Sequence, residues 1–295
     1  MRILLVHSSY RHYGGEDKVF FQERDALRAA LGKEAVFEYH ISTASRSAFR
    51  ILWESIFPIQ HYFAIRKLIR KHNIELVHVH NFFPLLLGAA FRAAKNAGAV
   101  VVHTLHNYRR WCIQSELYRS PIGICEQCVT TRNPWHGVQH ACYRKSHWQS
   151  FWAVSIMRLY RKSAYRNIDH FIVLSPFQDN WVRSQGIAAN KITYKPNWIQ
   201  SNVPSPIQQR SGFVFAGRLE ASKGIEMLLD AWQHMPADAK LTIIGTGSLE
   251  VPLREKFKKD TRISFMGVRS QEETISIIGR AKFLLQTSLW YETFG

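Results

Sequence analysis

The sequence predicts an α/β protein built of two doubly wound units, each a parallel sheet wrapped by helices. Two observations carry that expectation. Apolar strand-like runs alternate with helix-period segments along almost the whole chain. A single stretch at 197–212, NWIQSNVPSPIQQRSG, interrupts the alternation with two prolines, several Ser and Gln residues and no period, and reads as a linker.

The elements follow in order. RILLVHS (2–8) is apolar enough to be a strand buried on both faces, and GGEDKVFFQERDALRAAL (14–31) has the period of the helix after it. IELVHVH (74–80) and AVVVHTLH (99–106) are two further strands around the helical LLLGAAFRAAKNAG, and HFIVLS (170–175) and KITYKPN (191–197) continue the theme. After the linker come FVFAGRL, a helix over 223–235, LTIIGTG (241–247), a helix over 248–259, ISFMG (263–267), a helix over 270–281, and FLLQTSLW (283–290). The expected domains are 1–198, with a cysteine-rich insert over about 108–148, a linker at 199–211, and 212–295. In such sheets ligands sit beyond the carboxyl ends of the strands, where His7, His80, His106 and Ser175 fall. Strand alternation puts His78 and His80 on one face.

Composition narrows the class. The chain has 295 residues, 46% of them hydrophobic and 21% charged, as in a globular protein rather than a disordered one. MRILLVHSSY is too short an apolar run for a signal peptide, and no stretch approaches a membrane span, so a cytoplasmic location is expected, with disulfides unlikely. The net charge of +17 is concentrated in the first two-thirds: residues 1–200 hold 27 Lys and Arg against 12 Asp and Glu, the rest 12 against 10. A field so lopsided attracts phosphate-bearing lipids, acidic membrane surfaces or nucleic acid. RSAFRILWESIFPIQHYFAIRKLIRKHN (46–73) and YRKSHWQSFWAVSIMRLYRKSAYR (143–166) mix aromatics with cations. Segments of that kind either lie in a membrane interface or pack their aromatics in the core.

The most telling segment is FAGRLEASKG (215–224), a strand–turn–helix with Arg218 and Lys223 in the turn and glycines on both sides. Two cations beside a helix start suit a diphosphate. A second glycine turn, GTGS (245–248), ends the next strand and would approach the same crevice.

With these residues in view, the chain resembles the retaining GT-B glycosyltransferases of family 4, which use nucleotide sugars. The resemblance is carried by GGED (14–17), VHVHN (77–81), TLHNYR (104–109), VLSPFQDNWVRSQG (173–186) with YKPNWI (194–199), FAGRLEASKG, and SLWYETFG (288–295), the last matching the start of a Glu-x7-Glu motif. It implies two facing Rossmann-like domains. Gly14 and Gly15 would let backbone approach the donor phosphates. Gly217, Arg218, Lys223, Gly245 and Gly247 would hold the diphosphate, with the two cations neutralising it as the glycosidic bond breaks. His106 would steady the developing oxocarbenium ion. Glu292 would hydrogen-bond sugar hydroxyls, helped by the N–H groups of Phe294 and Gly295 at a helix start. His80, Asn107 and Ser175 are expected on the acceptor side, Asn107 standing where the family often has Asp. The family generally needs no metal for catalysis, and retention is attributed to front-face attack. The motif's second Glu would lie eight positions past Glu292, so the resemblance implies a C-terminally truncated chain, its second domain incomplete and strand 283–290 at an open edge. Donor sugar, nucleotide base and acceptor are not specified; a glycan or lipid-linked acceptor in bacterial surface polysaccharide synthesis is expected.

The cysteines are spaced C-x12-C-x2-C-x13-C at Cys112, Cys125, Cys128 and Cys142. That spacing suits a structural zinc, with a metal supplying the core that the aperiodic insert lacks. Free thiols, a redox pair or an iron–sulfur cluster are the alternatives, and His136 and His140 are substitute ligands. Two other functions stand against the enzyme: a basic nucleic-acid-binding protein using the cysteine module, and a nucleotide-sugar sensor without turnover. No specific nucleic-acid partner is expected.

Overall fold

The computed structural model describes residues 1–11, 14–197 and 209–294, with the side chains of Ser163 and Ala164 left aside. The expected linker therefore lies mostly outside the described residues. The chain divides into two compact units, Met1–Ser115 with Gln127–Gln200, and Glu116–Glu126 with Ser201–Thr293. A strip of the cysteine-rich insert, 116–126, thus groups with the second unit.

The first unit holds six parallel strands: β1 (Ile3–Ser9), β2 (Val36–Ser42), β3 (Leu76–Asn81), β4 (Val100–Thr104), β5 (His170–Val173) and β6 (Ile192–Tyr194), in the spatial order β2-β1-β3-β4-β5-β6. Every residue of β1 is buried, which is why it opens on the apolar run Ile3–Val6 before His7, Ser8 and Ser9. The reading above places no strand at β2. Its sequence VFEYHIS mixes polar residues through the run because β2 is the edge of the sheet and only Val36 is fully buried.

The second unit holds β7 (Phe213–Ala216), β8 (Leu241–Ile244), β9 (Ile263–Gly267) and β10 (Phe283–Leu284), ordered β9-β8-β7-β10 and all parallel. The chain returns past its first strand to place β10 at the margin, as the expected topology requires. The strand expected over 283–290 stops at Leu284, however; Leu285 donates its N–H to Val214 and the chain then leaves the sheet. Helix Ile225–Trp232 buries Ile225, Leu228, Leu229 and Trp232, the stripe of a helix packed on a sheet. With Phe215, Leu219, Leu241, Ile243, Leu253 and Phe257 they form this unit's core.

Among the described residues the insert gathers no ligand set that supports the zinc expectation. All four cysteines are outside disulfides, and among the described residues no group of three metal-ligating side chains within 4.8 Å includes a cysteine. The core comes instead from aromatic packing on the sheet's helices. Tyr108 and Trp111 meet Trp181 edge-on at 4.8 and 5.0 Å, and Tyr143 packs against Phe83 at 5.8 Å. The Arg109 guanidinium lies 4.6 Å from the Phe83 ring centroid. His136 Nδ1 lies 3.4 Å from Gln139 Oε1, and His140 Nε2 lies 3.2 Å from Gln127 Oε1.

Candidate active site

In the first unit, the ends of β1, β3 and β4 and the start of helix Gly15–Leu31 gather a polar cluster. Gly14 caps the helix: its N–H donates to Asp17 Oδ2 at 2.7 Å. Asp17 is fully buried, accepts from Ser9 Oγ and pairs with His7 Nε2 at 2.9 Å. Burial works to raise its pKa, but these hydrogen bonds override it and hold the carboxyl below its usual range. A Cβ at Gly15 would meet nothing within 4 Å, so backbone there borders open space.

Glu16 reaches the two neighbouring strand ends. It accepts from Asn81 Nδ2 at 3.1 Å and from Asn107 Nδ2 at 3.3 Å, while Asn107 Oδ1 accepts the Arg109 N–H at 2.9 Å. An aspartate at 107 would set a second carboxylate against Glu16. The amide donates there instead, a physical reason for Asn where the resemblance anticipates Asp.

His80 Nδ1 lies 3.0 Å from His106 Nε2, and the rings stack at 5.2 Å between centroids. One nitrogen donates to the other, so the pair shares one proton. Burial pushes the His106 pKa down to about 3, helped by the surrounding histidines, and lowers that of His80 well below its ordinary value. Both are neutral at physiological pH. His78 and His80 do share a face, with ring centroids 4.2 Å apart.

Ser175 commits one lone pair of its hydroxyl to its own helix. It N-caps helix Pro176–Ser184, accepting the Gln178 N–H at 3.2 Å. The sequence reading missed Gln178, which is fully buried, donates to Leu105 O at 2.8 Å and accepts the Leu174 N–H at 2.7 Å. It ties the chain just before His106 to the end of β5. No periodicity exposes such a residue, because a buried glutamine on a helix looks like any solvated one.

In the second unit Arg218 and Lys223 lie in the turn after β7, each beside a carboxylate. Arg218 Nη2 pairs with Glu116 Oε1 at 2.5 Å, with the Arg218 side chain 59% exposed. Lys223 Nζ pairs with Glu292 Oε1 and lies 5.1 Å over the Trp290 ring. Glu292 Oε1 also accepts from Ser288 Oγ at 2.5 Å, Trp290 Nε1 at 3.0 Å and Gln286 Nε2 at 3.3 Å. The sequence joined Lys223 and Glu292 only by resemblance; the structure puts them in contact across 69 positions. Ser288, Trp290, Gln286 and Glu116 had no signal of their own.

The glycines here serve the protein's own packing. A Cβ on Gly245, whose φ is +131°, would fall 1.9 Å from Gly217 O, and one on Gly247 would fall 2.4 Å from Leu219 O. The two turns lie directly against each other, and their amides are largely engaged: Gly217 N–H on Ile244 O, Gly245 N–H on Gly267 O, Ser248 N–H on Glu220 Oε1. Those three N–H groups are thus taken up within the protein. Gly224, at φ +66°, brings the Lys223 turn against Thr287, whose Oγ1 donates to Lys223 O at 2.9 Å. No helix has begun by Phe294, which is 37% exposed, and Gly295 lies outside the described residues.

Comparison with known proteins follows this geometry. A model described as a glycosyl transferase 4-like domain matches residues 19–198, and one described as glycosyl transferases group 1 matches 199–295. No curated protein sequence matches. Among solved structures, Anabaena Alr3699/HepE in complex with UDP aligns with a TM-score of 0.61 at 17% identity, covering 100% of this chain and 76% of that one. The apo lipopolysaccharide outer core galactosyltransferase WaaB aligns at 0.58 and 15%, covering 98% and 74%. WaaG, a glycosyltransferase of lipopolysaccharide biosynthesis, aligns at 0.58 and 13%, covering 97% and 75%. These likenesses establish the GT-B fold. By the family model that spans most of its first unit, and by the group 1 model over the remainder, the chain belongs to the glycosyl transferase 4-like glycosyltransferases.

Proposed function

We propose that the protein is a retaining hexosyltransferase that moves a sugar from a nucleoside-diphosphate donor to a glycan or lipid-linked acceptor. The observation that carries the reading is the Lys223–Glu292 cluster at the end of β7, a cation in the turn beside a helix start met by a carboxylate from 69 positions further along the chain. A diphosphate arriving there replaces Glu292 as the lysine's partner, and the released carboxylate then accepts from sugar hydroxyls. Arg218, whose side chain is more than half exposed, swings from Glu116 to the same phosphates.

In the transfer step the acceptor oxygen bonds to the anomeric carbon on the face from which the diphosphate leaves. The bond from that carbon to the phosphate oxygen breaks, and the acceptor's proton passes to the departing oxygen. Arg218 and Lys223 stabilise the charge that accumulates on the leaving group, which is greatest in the transition state. The neutral His106 presents a ring nitrogen or its carbonyl to the positive sugar without adding a repelling charge. A nucleotide-sugar donor and a surface-polysaccharide acceptor are supported by the similar structures, one of them in complex with UDP and another a glycosyltransferase involved in lipopolysaccharide biosynthesis.

Membrane contact and a cytoplasmic site belong to the same proposal. Among the described residues no helix is long and apolar enough to cross a membrane. Helices Ala48–Ile56 and His147–Arg166 are joined by Trp152 Nε1 to Ser55 Oγ and by Tyr160 OH to Ile56 O. They expose Phe49, Trp53, Trp148 and Leu159, and helix Ile59–His72 adds Phe63. Arg50, Arg66, Lys67, Arg70 and Lys71 share these elements, which fits an anionic lipid surface.

The test is a panel of nucleotide sugars and nucleoside diphosphates in a melting assay, with Arg218→Ala and Lys223→Ala as controls. One nucleotide is expected to stabilise the protein saturably, and each variant to weaken that effect. Absence of stabilisation by every nucleotide, or equal stabilisation of both variants, overturns the reading.

A further inference from the structure

Glu23, on helix Gly15–Leu31, and His78 and His80, on β3, place one ligand-capable atom each within 4.8 Å of the others. His78 Nδ1 is 3.1 Å from Glu23 Oε1, and His80 Nε2 is 4.0 Å from Glu23 Oε2. An ordinary histidine–carboxylate contact accounts for His78. It does not account for His80, which is 2% exposed and whose Nε2 has no hydrogen-bond partner. A buried nitrogen lone pair or N–H with nothing to meet is uncommon enough to need a reason.

Each imidazole also has its far nitrogen engaged. His78 Nε2 pairs with Thr104 Oγ1 at 2.7 Å, and His80 Nδ1 pairs with His106 Nε2 at 3.0 Å. One nitrogen toward a shared point and the other held by a second group is the arrangement of metal-ligating histidines. A cavity of about 370 Å³, lined in part by Glu23, Thr104, Leu174 and Lys195, gives access beside Glu23. We propose that Glu23, His78 and His80 bind one divalent transition metal ion of the kind that prefers imidazole and carboxylate ligands.

Two imidazoles and one carboxylate are a common zinc donor set. Ligand bonds of about 2.0–2.2 Å require the three atoms to lie within roughly 3–4 Å of one another. Glu23 and His78 already meet that, and His80 needs a shift of under an ångström toward them. The Lys195 ammonium, 2.9 Å from Glu23 Oε2, competes for the carboxylate and must move or share it. The consequence lies one residue further along. An ion on His80 Nε2 leaves the His80 proton on Nδ1, where it donates to His106 Nε2 and so places the His106 proton on its own Nδ1. The ion is a positioning device for His106 and stands apart from the sugar-transfer reading, which its test does not need.

The experiment is titration of chelator-stripped protein with Co(II), read by visible d–d absorption, and with Zn(II) in competition with a chromophoric chelator. One ion per chain is expected, weakened at least tenfold in His80→Ala and in Glu23→Gln. Lys195→Gln, a partly exposed site where misfolding is not at issue, is expected to bind tighter than the parent. Failure to bind, affinity unchanged in Lys195→Gln, or loss of binding in Cys112→Ser/Cys128→Ser rather than at Glu23 and His80 overturns the proposal.

Discussion

Replacing Gly224 with alanine tests whether close backbone approach fixes the Lys223 turn. At φ +66° alanine costs about 1 kcal/mol relative to glycine. Its Cβ would fall 2.0 Å from Thr287 O, and separation to ordinary contact requires the strip after β10 to retreat by more than an ångström. Two hydrogen bonds cross that contact, Thr287 Oγ1 to Lys223 O at 2.9 Å and Leu289 N–H to Ser222 O at 2.8 Å. At about 1 kcal/mol each, their loss brings the total to roughly 3 kcal/mol. Gly267→Ala is the control: its φ is +69°, but nothing lies within 4 Å of its Cβ, so only the backbone cost of about 1 kcal/mol applies. Calorimetry, with hydrogen exchange on peptides spanning 213–232 and 283–290, measures both. For a unit of about 100 residues the difference corresponds to roughly 8–16 °C in Tm. The Gly224 variant should also lose protection at 285–290. Equal loss in the two variants would show that the contact with Thr287 does not hold the turn, and the account of how Lys223 meets Glu292 would fail with it.

Lys223→Ala removes a charge-assisted bond to phosphate and is expected to weaken nucleoside-diphosphate binding roughly 10–100-fold, measured by calorimetric titration. Asn107→Asp places a carboxylate against Glu16, so it should destabilise the protein by about 1–2 kcal/mol at pH 7 and less below pH 4, read by urea unfolding. His103, on β4, is pushed down to about 3 by burial although its Nδ1–H donates to Val79 O. An unfolded chain takes up that proton first, so its contribution is complete above about pH 6.5 and is lost as the pH falls toward 3. Each intervening unit is worth about 1.4 kcal/mol, and His103→Phe should flatten the acid limb of the stability curve. Phe49→Ser/Trp53→Ser removes two exposed rings and should abolish sedimentation with phosphatidylglycerol vesicles while leaving Tm within about 2 °C.

Much of the fold was legible because β1 is buried on both faces and opens on the apolar run Ile3–Val6, because valines recur through β3, and because Ile225, Leu228, Leu229 and Trp232 repeat at helical spacing. β2 escaped because an edge strand with one wet face carries polar residues that dilute its pattern. Arg218 and Lys223 stood out as two cations between the glycines of one strand–helix turn. The carboxylate answering each of them did not, since Glu116 and Glu292 are 102 and 69 positions away. The cysteine spacing has no ligand cluster to answer it among the described residues, and intervals alone say nothing of the aromatic rings that pack the insert. Asn107 shows the opposite case, a departure from the family's usual residue whose cause, Glu16, lies on another element.

The seam where Gly245 rests on the carbonyl of Gly217, and Gly247 on that of Leu219, leaves no slack between two loops of different parentage. Neither loop can lengthen, or accept a methyl group at these glycines, unless its neighbour changes too. Variation in these two turns should therefore arrive as paired changes in both loops, and a library that randomises one alone should return mostly unfolded chains.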